Sequence, residues 1–187
     1  MSQTTKRALA ASLKKLLEKQ PLSKITVTDI TEDCEVNRHT FYYHFQDVYD
    51  LIDWIYENEA IRPLDGKNNA ETWQQGFLQI FDYVRDNRAF VLNTYRSLSK
   101  DHLLRYLYRE TYRLLLGVVE ERAQGMRVSE NHKRFIANFY KYGFVGLMVD
   151  WIEGGMKEEP EQIVSTLTTM IQGDISVALE RFRADCD

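Results

Sequence analysis

Residues 26–45, TVTDITEDCEVNRHTFYYHF, constrain the chain more than any other stretch, because they contain two helical segments that are each too short to stand alone. Thr26 with Asp29 three residues later has the pattern of a capping box opening a helix of about 27–34. Asn37 is a good cap for a second helix over 38–44. The first segment turns Val27, Ile30 and Cys34 inward; the second turns in Phe41, and Phe45 follows. Isolated helices below roughly 12–15 residues are marginal in water, so these two must pack on each other and on a third. A helix over about 4–19 supplies the third, with Leu9, Leu13, Leu16 and Leu17 on one stripe and Pro21 ending it. Asp47 can cap the next helix, whose apolar positions are Val48, Leu51, Ile52, Ile55 and Tyr56.

Beyond this head, Pro63 followed by LDGKNN is the clearest break in the chain. Asn68, with Glu71 three residues on, opens a helix expected to run to about 93, with Trp73, Phe77, Ile80, Phe81 and Val84 inside. Ser97 to Ser99 marks a junction. The next helix covers about 101–124 and ends at Gly125. Ser129 caps a long one over 130–153, closed by Gly154 and Gly155. Pro160 starts the last, whose face is Ile163, Leu167, Met170, Ile171, Ile175, Ala178 and Leu179. No stretch alternates with a period of two, so the expected fold is all-α. It has an N-terminal three-helix helix-turn-helix domain over 1–50 and a helical regulatory and dimerisation domain over 51–187. There is no run of 18 apolar residues and no signal-peptide pattern at the N-terminus, so the expected location is the cytoplasm, away from membranes. Cys34 reads as a small buried hydrophobe and Cys186 lies in a polar tail.

The head also differs in charge. Residues 1–46 carry a net +2 within a chain of net −4, leaving −6 for the remainder. A modestly basic head on an acidic body suits a protein that touches phosphate at one end. With Phe41 and Phe45 inward, Arg38, His39, Thr40, Tyr42, Tyr43 and His44 fall on the outer surface of the second short helix. Arg38 can address guanine O6 and N7, Thr40 or His39 can reach base edges, and the tyrosines and His44 can donate to phosphate oxygens. Metal binding is not expected. His39 and His44 lie about 140° apart around a helix, and no further ligand completes the set. No cofactor is expected either. A glycine-rich phosphate loop, a nucleophile elbow and an H-E-x-x-H sequence are all absent, so the chain does not read as an enzyme.

These residues resemble the DNA-binding domain of the TetR/AcrR family. Ile30, Thr31, Cys34, Val36, Asn37, Thr40, Phe41, Tyr42, His44, Phe45 and Leu51 carry the resemblance. It implies a homodimer on a pseudopalindromic double-stranded operator, with Thr26, Thr28, Asn37, Arg38, His39, Thr40, Tyr42, Tyr43 and His44 as the DNA-facing set. Two positions depart from the pattern: Glu35 replaces a turn glycine, and Val48 stands where the family commonly has a phosphate-directed lysine. Residues 139–171, with Tyr142, Gly143, Gly146, Leu147, Trp151, Gly155, Pro160 and Ile163, resemble a TetR subgroup that includes regulators of dihydroxyacetone kinase operons. Some of that subgroup activate transcription with a partner protein. A repressor is nevertheless the first expectation. The alternative is a protein-binding adaptor or co-activator with weak autonomous operator binding.

In the body, a small-molecule effector pocket is expected around Phe77, Phe81, Tyr95, Tyr108, Tyr112 and Phe139. A four-helix dimer interface is expected from Phe144, Leu147, Trp151, Leu167, Ile171 and Ile175. Gly143 and Gly146 each destabilise a helix interior by roughly 1 kcal/mol relative to alanine, which is tolerable where another backbone comes close.

Overall fold

The computed structural model describes residues 2–60, 71–97, 100–171 and 173–183. Among these residues there are ten α-helices and no strand. They are α1 (Ser2–Leu17), α2 (Val27–Asp33), α3 (Arg38–His44), α4 (Val48–Ile55), α5 (Trp73–Asp86), α6 (Arg88–Tyr95), α7 (Lys100–Arg122), α8 (Glu130–Glu153), α9 (Pro160–Ile171) and α10 (Asp174–Arg181). A 3₁₀ turn covers Leu22–Lys24, and a π-helical segment, Tyr56–Ala60, follows α4. The break expected at Pro63, the cap at Asn68, the junction residue Ser99 and the tail residue Cys186 lie outside the described residues.

The chain forms two compact units, Met1–Arg62 with Asp86–Tyr106, and Pro63–Arg85 with Leu107–Asp187. In the first, Leu9 and Leu13 of α1, Ile30 of α2, Phe41 of α3, and Leu51, Ile52 and Ile55 of α4 are fully buried. Burying a large aliphatic or aromatic side chain is worth about 1.5–3 kcal/mol, which is what holds helices as short as α2 and α3. Polar groups inside the unit are paired. The Ser12 hydroxyl donates to the Ile30 carbonyl at 2.9 Å, and Asn93 Nδ2 donates to the Leu17 carbonyl at 3.0 Å, meeting one open acceptor at the end of α1. Tyr56 is buried between Phe90 and Tyr106, with its hydroxyl 2.6 Å from Thr94 Oγ1. Burial pushes the Tyr56 phenol well above its ordinary value.

The second unit is held by aromatics. Phe77 and Phe144 meet edge-on with centroids 4.3 Å apart, and Phe81 meets Trp151 at 5.0 Å. Trp151 Nε1 donates to the Glu158 carbonyl at 2.9 Å, so the polar end of a buried indole is satisfied. Leu114, Leu115 and Val118 of α7, Val164 and Leu167 of α9, and Ile175 and Leu179 of α10 complete its core.

Several sequence expectations need correction. The helix expected to run to residue 93 is interrupted at Asn87, which leaves helical geometry at φ −107°, ψ 32°; asparagine competes for backbone hydrogen bonds and favours such exits. The single last helix is two, broken at Gly173 with φ +89°. On the face expected for it, Met170 is exposed and Ile163 and Ile171 are half-buried, whereas Val164 is buried. In α2, Val27 and Cys34 are only half-buried, and Thr31 takes the inward place.

Candidate nucleic-acid interface

The helix-turn-helix is α2, its turn, and α3. Thr26 opens α2 with both halves of the capping box: its backbone N–H donates to Asp29 Oδ2 at 2.7 Å, and Asp29 N–H donates to Thr26 Oγ1 at 3.2 Å. The Thr26 hydroxyl, then its backbone N–H, hold the Asp29 carboxyl below its ordinary value of 3.8. The far end of α2 closes by two backbone bonds, Val36 N–H to the Thr31 carbonyl at 2.9 Å and Glu35 N–H to the Glu32 carbonyl at 3.3 Å. These are the paired bonds of a Schellman turn, which needs a left-handed residue between them. Glu35 is that residue, at φ +54°. A side chain with a Cβ is disfavoured there by roughly 1–2 kcal/mol.

Asn37 then caps α3, its Oδ1 accepting from the His39 N–H at 2.8 Å. Phe41 and Phe45 are buried, so the rest of α3 faces out. Arg38 and His39 are exposed, Thr40 and His44 half-buried, Tyr42 48% exposed and Tyr43 82% exposed. Arg38 lies over Tyr42, with its guanidinium 5.6 Å from the ring centroid and Nη2 donating to Tyr42 Oη at 3.3 Å. Of the remaining DNA-facing expectations, Thr28 is exposed, while the Thr26 hydroxyl is engaged with Asp29. This surface is a donor-rich helix turned outward from a fixed apolar back, as groove reading demands.

Two nearby features escaped the sequence reading. Lys6 of α1 sits 5.2 Å from the Phe45 ring centroid and 6.0 Å from that of Trp54, so a cation of the basic head is positioned next to α3. The cap expected at Asp47 is present, accepting from the Asp50 N–H at 2.9 Å; the feature not read from sequence is Asp50 Oδ2 accepting from the Gln46 N–H at 2.9 Å. An aspartate three residues after a capping aspartate is the signal for this bond, which goes to the residue before the cap and not, as at Thr26, to the cap itself. The start of α4 thus presents Asp47, half-buried Val48 and Asp50.

The residues expected in an effector pocket are not brought together. Phe77 and Phe81 lie in the core of the second unit, and Tyr95 belongs to the first. Tyr108 and Tyr112 flank the Lys141 ammonium at 5.4 and 5.6 Å, and Phe139 is exposed. A cleft of about 410 Å³ in the second unit is lined instead by Trp73, Gln74, Val118, Arg122, Thr168, Ile171, Gly173, Ile175 and Ser176. Of the expected interface residues, Phe144, Trp151, Leu167 and Ile175 are buried within the chain, Ile171 is half-buried, and Leu147 is exposed. The outward residues of α8 include Phe135, Phe139, Tyr142, Gly143, Gly146 and Leu147, beside polar ones such as Asn131, Arg134 and Asp150. Both sides of α8 are apolar, so periodicity alone did not show which one faces in. Among the described residues, no helix is long and apolar enough to cross a membrane and no group of three or more His, Cys, Asp or Glu side chains could hold a metal ion.

An all-α chain with a capped helix-turn-helix and a separate helical body defines a DNA-binding transcriptional regulator. Residues 71–173 match the family model of a TetR-type transcriptional regulator C-terminal region. The chain belongs to the TetR/AcrR family of transcriptional regulators, a class of DNA-binding proteins rather than enzymes. It is similar to the HTH-type dhaKLM operon transcriptional activator DhaS of Lactococcus lactis, 29% identical over 86 residues. That match spans 46% of this chain and 46% of the relative. Among solved structures, the dihydroxyacetone kinase operon activator DhaS superposes with a TM-score of 0.77 at 21% identity, covering 96% of this chain and 98% of that one. Native NalD, the secondary repressor of the MexAB-OprM multidrug efflux pump in Pseudomonas aeruginosa, superposes with a TM-score of 0.65 at 14% identity, covering 92% and 96%. At these identities the superpositions show the fold.

Proposed function

We propose that the chain works as a homodimer on a pseudopalindromic operator, with α3 of each subunit in successive major grooves and the outward face of α8 joining the two subunits. The observation that carries this reading is the α8 surface. Phe135, Phe139, Tyr142 and Gly146 recur at helical spacing, and the three aromatics are 62%, 67% and 60% exposed. A Cβ added at Gly143 or Gly146 would meet nothing within 4 Å. Glycines that cost helix stability and serve no close approach inside the subunit suit a helix from a second copy. Val177 and Phe182, also exposed, extend the apolar surface, and with Phe135 and Phe139 they line a groove between α8 and α10. Light scattering of the wild type should give about twice the 22.1 kDa chain mass, and Phe139→Glu should lower it toward one. A monomeric wild type at micromolar concentration would remove the proposal.

On DNA, Arg38 is assigned to a base and Tyr43 and His44 to phosphate. Arg38→Ala should cost about 1–3 kcal/mol of discrimination at one base pair of a site enriched from random DNA. The sign of regulation is read as activation. Repression was the first expectation from sequence, but the sequence relative and the higher-scoring of the two superposed structures both carry the word activator in their names. A promoter fusion measured with and without the chain tests this directly. Effector sensing is assigned to the second unit, where the 410 Å³ cleft has a volume in the small-molecule range.

A second reading, weak autonomous binding aided by a protein co-regulator, is favoured by the start of α4. Asp47, Val48 and Asp50 occupy a helix N-terminus that would otherwise attract phosphate. Retention of operator affinity by the purified chain at physiological salt would argue against it.

A further inference from the structure

We infer that Tyr42 sets the selectivity of this regulator by positioning Arg38, so that the two form one reading unit; the inference rests on the proposed assignment of α3 to the major groove. The two residues are four apart on α3, one turn above each other on the same face. The guanidinium both lies over the Tyr42 ring, 5.6 Å from its centroid, and donates from Nη2 to Oη at 3.3 Å. The ring is itself held. It meets Phe41, which is fully buried, edge-on at 5.5 Å, and it borders a groove formed with Ile25, Val27 and Val48. The order that begins in the core therefore reaches an exposed arginine through a single aromatic side chain.

The chemistry leaves both partners competent for DNA. A guanidinium has five N–H donors, and one spent on Tyr42 leaves enough for a two-pronged contact to guanine O6 and N7. A phenol oxygen that accepts from arginine keeps its own O–H, which can donate to a phosphate oxygen. Tyr42 then ties the register fixed by the backbone to the direction in which Arg38 points. An arginine free on the helix surface is spread over many rotamers and loses that freedom on docking; one already held against an aromatic face loses less.

The test is enrichment from a random DNA pool, at fixed salt, with wild type, Arg38→Ala, Tyr42→Phe and Tyr42→Ala. Arg38→Ala identifies the base pair that Arg38 reads. At that pair, Tyr42→Ala should lower the wild-type preference by roughly 5- to 10-fold. Tyr42→Phe, which keeps the ring and removes the hydroxyl, should lower it by about 2- to 3-fold. Both variants should also weaken binding to all sequences by a few-fold through the lost phosphate contact. A uniform loss alone, with the preference at the Arg38-dependent pair intact, overturns the inference and leaves Tyr42 as a phosphate contact only. A wild-type site in which Arg38→Ala flattens no position also overturns it. Failure of the wild type to enrich any sequence is a different result, because it removes the underlying assignment of α3 as well.

Discussion

Helices α2 and α8 end in the same turn, built from different residues. After α8, Met156 N–H donates to the Trp151 carbonyl at 2.8 Å and Gly155 N–H to the Ile152 carbonyl at 3.1 Å, with Gly155 at φ +87°. After α2, Val36 and Glu35 make the equivalent bonds to Thr31 and Glu32, with Glu35 at φ +54°. Hydrogen bonding is matched, so the difference is the side chain at the left-handed position. In α8, 24 residues long, glycine takes the left-handed place between the two bonds without a steric penalty, and the side chain in the left-handed region falls one residue later, at Met156 with φ +56°. In α2, of seven residues, a glutamate accepts one. The comparison teaches that the short helix is held by its core and its first-turn cap, strongly enough to carry an unfavourable end.

The comparison can be broken at several points. The largest effect should come from Ile30→Ala, since Ile30 is fully buried where α2 meets α1; a loss of about 2–5 kcal/mol in denaturant unfolding is expected. A loss below 1 kcal/mol would mean that α2 does not depend on its core. Next, Gly155→Ala should destabilise by about 1–2 kcal/mol, since it places a Cβ in the left-handed region where Gly155 now stands. Thr26→Ala should cost about 1 kcal/mol through the lost cap, and Ser129→Ala, at the start of α8, no more than that. Smallest of the stability effects, Glu35→Gly should stabilise by about 0.5–1 kcal/mol, because relief of the left-handed penalty is partly offset by the greater freedom of glycine in the unfolded chain. No gain in melting temperature would show that Glu35 is compensated by its surroundings.

Acid should weaken the start of α2. The folded-state value of Asp29 is depressed, so its contribution is complete above the unfolded value near 4 and fades as pH falls through the folded one. In urea unfolding at pH 5 and pH 3, Asp29→Asn should therefore show a smaller acid-induced loss than wild type.

What sequence made legible, and what it did not, follows the same division between local and non-local causes. The caps at Thr26, Asn37, Asp47 and Ser129 set helix starts that the structure shares to the residue, because a cap is a contact between a side chain and backbone two or three positions away. The bounds of α3 were legible for the same reason, with Phe41 and Phe45 fixing which side faces out. The break at Gly173 was also written locally, as a glycine followed by Asp174 at a helix start, but a continuous apolar period across it concealed the signal. The inward face of α8 was not legible. Phe144 and Trp151 on one side and Phe135 and Phe139 on the other are equally apolar, and only Trp73, Phe77 and Phe81, some seventy residues earlier, decide between them. The expected pocket residues were not legible for a similar reason: Phe77 and Phe81 pack together in the core, Phe139 faces out, Tyr95 pairs with Lys100, and Tyr108 and Tyr112 pair with Lys141 of another helix. The Arg38–Tyr42 pair had the right spacing in the sequence, yet its geometry depends on the ring of Phe41 behind it.

The first unit draws on two stretches of chain, and this bears on its birth at the ribosome. Its core is completed by Phe90, Thr94 and Tyr106 around Tyr56, and Asn93 meets the end of α1. When the last residue of α4 is added to the chain, none of those residues has yet been made. At translation rates of about 5–20 residues per second, the nascent helix-turn-helix waits several seconds for the segment that closes it. A polypeptide released early, with α1 to α4 intact in sequence, would lack the aromatic partners of Tyr56 and expose that surface to chaperones and proteases. Completion of the first unit is thereby deferred until translation has passed the start of α7.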